Sequence, residues 1–133
     1  MQAFVITAYK DYQALKTLTL ALSQKGLCVI HADARGAITQ PQVDELNALP
    51  NVRAIRRYKV NWGSVYHLYA LLDLCRMALE DERVSYLHLM SAQDMPLLSA
   101  DEMEARFEGE TRLFMQRLST AENPELAHRY EHY

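Results

Sequence analysis

AFVIT, at residues 3–7, is a short apolar run rich in β-branched and aromatic side chains. Such a run is typical of a strand that is buried on both faces, so we predict the first strand here. A second run of this kind, LCVIH at residues 27–31, predicts another buried strand. Between the two runs, Asp11 can cap a helix, and Gly26 can end that helix from a C′ position.

Beyond these two strands, helical and strand patterns alternate along the chain. Thr39 and Pro41 predict the start of a short helix, and residues 52–60 contain a third strand. From Ser64, apolar residues step by three and four positions, which predicts one apolar stripe on a four-turn helix. The stripe consists of Val65, Leu68, Leu72, Cys75 and Leu79. A strand at 84–90, a helix opened by the capping box of residues 99–102, and a strand at 111–116 complete the pattern.

This alternation predicts an α/β fold, a three-layer sandwich with a mostly parallel sheet and helices on both faces. Ligands of open sheets of this type bind beyond the carboxyl ends of the strands. The residues to examine therefore follow the first, second and fourth strands. They are AYK at 8–10, ADAR at 32–35 and SAQD at 91–94.

Composition excludes several classes of protein. The chain has 133 residues, enough for one domain, and its net charge of -3 argues against a nucleic-acid partner. No apolar stretch approaches the roughly 18 residues of a membrane span, and the N-terminus lacks a basic region followed by a long apolar one, so no signal peptide is expected. Both cysteines lie in apolar runs without CxxC spacing, which is typical of buried thiols in a reducing compartment. We therefore expect a cytoplasmic protein, with any membrane association made through parts not present in this chain.

Three residues at the expected ligand edge have both a binding and a structural interpretation. Asp33 follows a buried strand, where a carboxylate accepts hydrogen bonds from a ribose or a base edge, but it also suits a turn cap. Asp94 fits a contact to a sugar or to a metal-bound diphosphate, or the cap of a loop before Pro96. Trp62 precedes a helix start that offers free N–H groups to an anion, and it equally suits a core tryptophan before an ordinary Ser N-cap.

Other chemistries find little support in the residues. The chain lacks a glycine-rich phosphate loop, which disfavours a Rossmann oxidoreductase, and it lacks a nucleophile motif. Its histidines have no ligand spacing, and His31 and His88 are interpreted as hydrogen-bonded core residues. A single acid at 91–94 is too few for a hard cation, so no metal site is predicted. The basic residues of segment 53–59 can neutralise a diphosphate, although a solvated strand face is the commoner explanation.

Three motifs occur in order along the chain: IHADAR at 30–35, VNWGS at 60–64 and LMSAQDMPL at 89–97. Together they resemble the core-2/I-branching β-1,6-N-acetylglucosaminyltransferases, whose relatives include the peptide O-xylosyltransferases. The resemblance is to the N-terminal part of that family. It implies a GT-A-like (Rossmann-like) nucleotide-sugar-binding domain at residues 1–118. Residues 119–133 would then begin a connection to an acceptor-binding and catalytic half that this chain does not contain.

The resemblance also implies a function, namely inverting transfer of a sugar from a UDP-sugar to a carbohydrate acceptor without a metal or another cofactor. The expected sugar is N-acetylglucosamine. The alternatives are xylosyl transfer and a non-catalytic nucleotide-sugar-binding or interaction domain. The implied donor-binding residues are Ala8, Tyr9, Asp33, Ala34, Arg35, Trp62 and Asp94, and Arg129 is the implied acceptor contact. The family's catalytic glutamate has no counterpart here, so we expect the isolated chain to be inactive.

Overall fold

The structure of the protein is a computed structural model that describes residues 1–115, 119 and 121–124. In chain order its elements are β1 (Gln2–Ala8), α1 (Tyr12–Leu22), β2 (Leu27–Ala32), α2 (Gln40–Asn47), β3 (Val52–Ile55), α3 (Val65–Leu79), β4 (Tyr86–Ser91) and α4 (Ala100–Phe107). The strands form one parallel sheet in the order β3-β2-β1-β4. The predicted α/β fold is confirmed. None of the helices described here is long and apolar enough to cross a membrane.

Two apolar layers hold the helices on opposite faces of this sheet. On one face Ile6 of β1 packs in a cluster with Leu15 of α1 and Val43 of α2. On the other face Val5 packs in a cluster with Leu74 of α3. Because successive strand residues point to opposite faces, β1 contributes to both layers and is buried almost throughout. The predicted three-layer arrangement is therefore confirmed.

The predicted capping residues begin their helices. A side-chain oxygen of Asp11 accepts the N–H of Ala14 at 3.1 Å, which caps α1. Thr39 lies directly before α2. At α4 the Ser99 hydroxyl accepts the Glu102 N–H at 3.3 Å, and the Glu102 carboxylate accepts the Ser99 N–H at 2.8 Å. Each cap satisfies backbone donors that the first helical turn leaves without a partner.

Gly26 does not end α1 from a left-handed C′ position, so that prediction is wrong. The helix ends at Leu22 with Ser23 as its cap, and the φ angle of Gly26 is not positive. A Cβ atom at Gly26 would instead collide with the ring of Phe4 on β1. A side chain at position 26 would therefore require the Phe4 ring to move.

The long helix α3 is confirmed, but its predicted apolar stripe does not face the sheet. The buried residues are Ala70, Leu74 and Ala78, whose four-residue spacing places them on one helix face. Two of these three are alanines, which let the helix lie close to the sheet. The stripe residues Val65, Leu68, Leu72 and Leu79 are each roughly half exposed, between 43% and 62%. Of the stripe, only Cys75 packs against the apolar cluster on the sheet, so periodicity located the helix correctly and selected mostly the wrong face.

Residues 111–115 do not form the predicted fifth strand, and residue 116 lies outside the described residues. Among those described, β4 pairs with β1 on one side and with no strand on the other. Leu113 and Phe114 are exposed, and the Arg112 carbonyl accepts a hydrogen bond from the Tyr86 hydroxyl at 2.9 Å. The prediction was wrong because apolar composition indicates only a tendency to form a strand. A strand also needs backbone pairing with a neighbouring strand, and residues 111–115 do not pair with β4.

Both cysteines are free thiols. Cys28 is buried in β2, and burial raises its pKa to about 12. Cys75 on α3 is half-buried, and burial raises its pKa as well. The interpretation of buried thiols therefore holds fully for Cys28 and in part for Cys75.

Candidate functional site

A cavity of about 370 Å³ opens at the carboxyl ends of β1, β2 and β4. It is lined by residues 7–10, His31, Asp33, residues 60–62, His67 and residues 91–93. In the sheet, β2 and β3 lie on one side of β1, and β4 lies on its other side. The cavity is therefore at the place where the strand order reverses, the usual ligand site of open parallel sheets.

Backbone hydrogen bonds hold the loop after β2 against the end of β1. The Ala8 carbonyl accepts the N–H of Asp33 at 2.8 Å, and the Tyr9 carbonyl accepts the N–H of Ala37 at 2.8 Å. Gly36 lies so close to Tyr9 that a Cβ atom would collide with the Tyr9 carbonyl. This part of the cavity wall therefore needs a glycine directly after the first motif.

Asp33 combines the two interpretations given by its sequence position. It is only 8% exposed, and it lines the cavity. Its Oδ1 atom accepts the N–H of Arg35 at 2.8 Å and the N–H of Val60 at 3.3 Å. No described residue donates to Oδ2. One carboxylate oxygen thus caps the turn, while the other leaves an acceptor for a ligand.

Ala34 and Arg35 do not line the cavity, and they support its wall instead. The Ala34 N–H donates to the Tyr58 carbonyl at 2.8 Å, and the Ala34 carbonyl accepts from the Arg56 guanidinium at 2.6 Å. Arg35 is exposed, and its guanidinium donates to the side chain of Asn61. Both residues therefore fix the segment that leads from β3 to α3.

Asp94 also lies outside the cavity lining. Its Oδ2 atom accepts the N–H of Ser91 at 2.6 Å, so the carboxylate caps the loop that follows β4. Gln93, the residue before it, does line the cavity, together with Ser91. The carboxylates of Asp33 and Asp94 therefore do not share one wall of the cavity.

Trp62 is 99% exposed and lies at the cavity rim, so the alternative of a core tryptophan is wrong. The next residue, Gly63, has a φ of 70°, in the left-handed region that favours glycine. Ser64 precedes α3, but its hydroxyl is buried and has no hydrogen-bond partner among the described residues. The ordinary side-chain cap expected there is absent.

The basic segment 53–59 is mostly used inside the fold. Arg53 donates to the Met77 carbonyl at 2.7 Å, and Arg57 pairs with Asp73 at 3.0 Å. Together with the Arg56 contact described above, these bonds attach the segment to β2 and α3. Three of its four basic side chains thus serve packing, which neither sequence interpretation anticipated.

The lining residues that sequence reasoning did not assign to the site include Lys10, Asn61, His67 and Gln93. Lys10 is the only Lys or Arg in the lining among the described residues, and its ammonium lies 5.2 Å from the centre of the Tyr9 ring. Lys10 and Gln93 belong to the two turns singled out after β1 and β4, so their position gave a signal. No sequence signal indicated His67, because it lies one turn inside α3.

The interpretation of the two strand histidines as hydrogen-bonded core residues is confirmed for His31, whereas His88 is hydrogen-bonded but only partly buried. His31 accepts the N–H of Tyr58 at 3.1 Å, and His88 bonds the Gln2 side chain at 2.7 Å. Within the described part of the chain, no group of three or more His, Cys, Asp or Glu side chains is arranged so that it could hold a metal ion. Arg129 lies outside the described residues, as does most of the predicted connection at 119–133.

A parallel sheet in this strand order, with a cavity where the order reverses, defines a Rossmann-like α/β protein. The family model of the Core-2/I-Branching enzyme matches residues 2–133. The chain therefore belongs to the core-2/I-branching enzyme family, a family of glycosyltransferases, and the resemblance noted in the sequence is confirmed. This membership implies a nucleotide-sugar donor and an acceptor as substrates. A search of curated proteins found no match.

Proposed function

We propose that the cavity binds the UDP part of a UDP-sugar and that the chain provides the donor-binding part of an inverting glycosyltransferase. N-acetylglucosamine is the sugar we favour, with a carbohydrate as the acceptor. The observation that carries this proposal is the meeting of Asp33, Tyr9 and Trp62 in one cavity, at the strand reversal of a glycosyltransferase-family chain.

Each of these residues offers a different kind of contact to a uridine nucleotide. The Oδ2 atom of Asp33 can accept the N3–H of uracil or a ribose hydroxyl. Tyr9 and Trp62 present exposed aromatic surface for a flat base. Lys10 supplies a positive charge for the diphosphate, whose negative charge increases as the sugar leaves. In this proposal Ala8, Ala34 and Arg35 shape the wall, and Asp94 fixes the loop near the sugar.

Catalysis requires a base within about 2.6–3.2 Å of the acceptor hydroxyl. Asp33 is the only carboxylate that lines the cavity among the described residues, and it already caps the turn that carries the uridine contacts. We therefore propose that a group outside this cavity activates the acceptor, and that the isolated chain binds the donor without transferring its sugar. Metal independence is part of the proposal, with Lys10 as the cation that faces the leaving group.

Isothermal titration calorimetry with UDP, UDP-N-acetylglucosamine and UDP-xylose tests the proposal, with each titration repeated in EDTA. We expect heat from all three ligands, the tightest binding from UDP-N-acetylglucosamine, and no effect of EDTA. Tighter binding of UDP-xylose would favour xylosyl transfer. No heat from any nucleotide would overturn donor binding and leave a non-catalytic interaction domain as the explanation. Turnover at rates typical of an intact enzyme would contradict the proposed division of roles.

A further inference from the structure

The segment between β3 and α3, residues 56–64, carries three of the residues that line the cavity. We call it the β3–α3 loop. It contains no helix or strand, so contacts with the end of β2 and with α3 fix its position. Its main-chain contacts to the end of β2 are few. Tyr58 donates to His31 at 3.1 Å and accepts from Ala34 at 2.8 Å, and Val60 donates to Asp33 at 3.3 Å.

The bond to His31 has a chemical requirement that the other two lack. The backbone N–H of Tyr58 is the donor, so the Nε2 atom of His31 is the acceptor. A neutral imidazole that accepts at Nε2 carries its proton on Nδ1, whereas an imidazolium has protons on both nitrogens and accepts at neither. His31 is 1% exposed, so water has little access to replace a lost bond. The Tyr58 N–H would be left without its partner.

We infer that His31 is a positioning residue whose bond to the β3–α3 loop exists only while its imidazole is neutral, and that this bond helps to place Trp62 at the nucleotide. The effect on nucleotide binding depends on the proposed function, whereas the effect on the loop does not. His31 is not one of the proposed ligand contacts. It acts through the Tyr58 amide, four residues before Trp62.

Burial lowers the pKa of His31 below its ordinary value. Charged and titratable groups face the ring from each neighbouring element. Asp33 after β2 and Asp73 on α3 raise the pKa, and His67 on α3 and Arg57 in the loop lower it further. The ring is therefore neutral at physiological pH, and the bond is lost only as the pH falls through the lowered pKa. That transition lies below about pH 6.5, the ordinary histidine value.

Two substitutions distinguish a role of His31 as the acceptor of the Tyr58 N–H from a general requirement for histidine at this position. In His31→Gln an amide oxygen can occupy the place of Nε2 and accept the Tyr58 N–H at any pH. In His31→Leu the volume is kept and the acceptor is removed. We expect the UDP affinity of the natural chain to fall roughly three- to tenfold as the pH is lowered from neutral through the lowered pKa of His31, because one hydrogen bond is lost. At neutral pH, His31→Gln should bind UDP as tightly as the natural chain, and its affinity should not fall on acidification. His31→Leu should bind UDP weakly at every pH.

Ligand-free measurements keep this inference separate from the proposed function. The protection factor of the Tyr58 amide, which is its hydrogen-exchange rate relative to the intrinsic rate at the same pH, should fall on acidification in the natural chain and in His67→Ala, but not in His31→Gln. Nitrogen NMR of the His31 ring at neutral pH should show the Nδ1-protonated tautomer. An Nε2-protonated ring, an acid step retained in His31→Gln, or a step lost in His67→Ala would overturn the inference. If UDP fails to bind at all, only the proposed function falls, because these three results still decide the role of His31.

Discussion

Asp33→Asn is the substitution that tests the nucleotide site most directly, because it changes the charge and one atom of the side chain. The Oδ1 atom of asparagine can still accept the N–H groups of Arg35 and Val60, so the turn after β2 should persist. The other position becomes an NH₂ group, which donates and cannot accept from uracil or ribose. We therefore expect binding to suffer far more than folding.

The size of the effect follows from the two sets of hydrogen bonds. A hydrogen bond to a charged group contributes about 1.5–3 kcal/mol, so losing the one to UDP should weaken binding by roughly 10- to 150-fold. The two internal bonds to Asp33 change from charged to neutral acceptors. Such a change should lower stability by about 1–2 kcal/mol, which leaves the chain folded at room temperature.

Trp62 is the only tryptophan in the chain and lines the same cavity, so its fluorescence can report nucleotide binding without a label. Titration with UDP would give the affinity, and thermal unfolding followed by circular dichroism would give the stability. Asp44→Asn is the matched control, since Asp44 is an exposed residue of α2 that does not line the cavity. If Asp33→Asn bound UDP within about twofold of Asp44→Asn, the assignment of Asp33 to the nucleotide would be refuted.

Three further predictions test the diphosphate contact, the glycine in the cavity wall and the packing of α3. Lys10→Met should weaken UDP binding roughly tenfold and uridine binding little, as measured by calorimetry. An equal loss of UDP affinity in Lys59→Met would contradict a specific role for Lys10. Gly36→Ala should lower the free energy of unfolding by about 1–3 kcal/mol in thermal unfolding, because its Cβ atom would meet the backbone after β1. Unchanged stability would show that the backbone after β1 can move to accept a side chain at this position. Leu74→Ala should cost about 2–5 kcal/mol in urea unfolding and Leu72→Ala much less, and equal losses would contradict the observed face of α3.

The strand positions β1 and β2 could be predicted because buried parallel strands are uniformly apolar, and neither run has a helical period. The face of α3 could not be predicted in the same way. Leucines spaced by three and four residues suggest a core-facing stripe, yet small side chains allow closer packing on the sheet. Ala70 and Ala78 therefore face the core, which is a property of the helix and sheet together.

The candidate site shows the same division between local and tertiary information. The rule that ligands bind beyond parallel strands located the cavity, and Ala8, Tyr9, Asp33 and Trp62 line it. The rule could not tell that Asp94 bonds its own loop, because a capping carboxylate and a ligand-binding carboxylate have the same sequence signature. His67 reaches the cavity only through the orientation of α3, which no local pattern encodes.

The two shielded thiols make this chain convenient for site-selective labelling. Only a thiolate reacts quickly with maleimides and disulfide reagents, and a raised pKa keeps both native cysteines in the thiol form near neutral pH. A single cysteine introduced in place of exposed Gln93 could then carry a spin label or fluorophore beside the cavity while Cys28 and Cys75 remain in place. The label would then report changes at the cavity rim when a nucleotide is added.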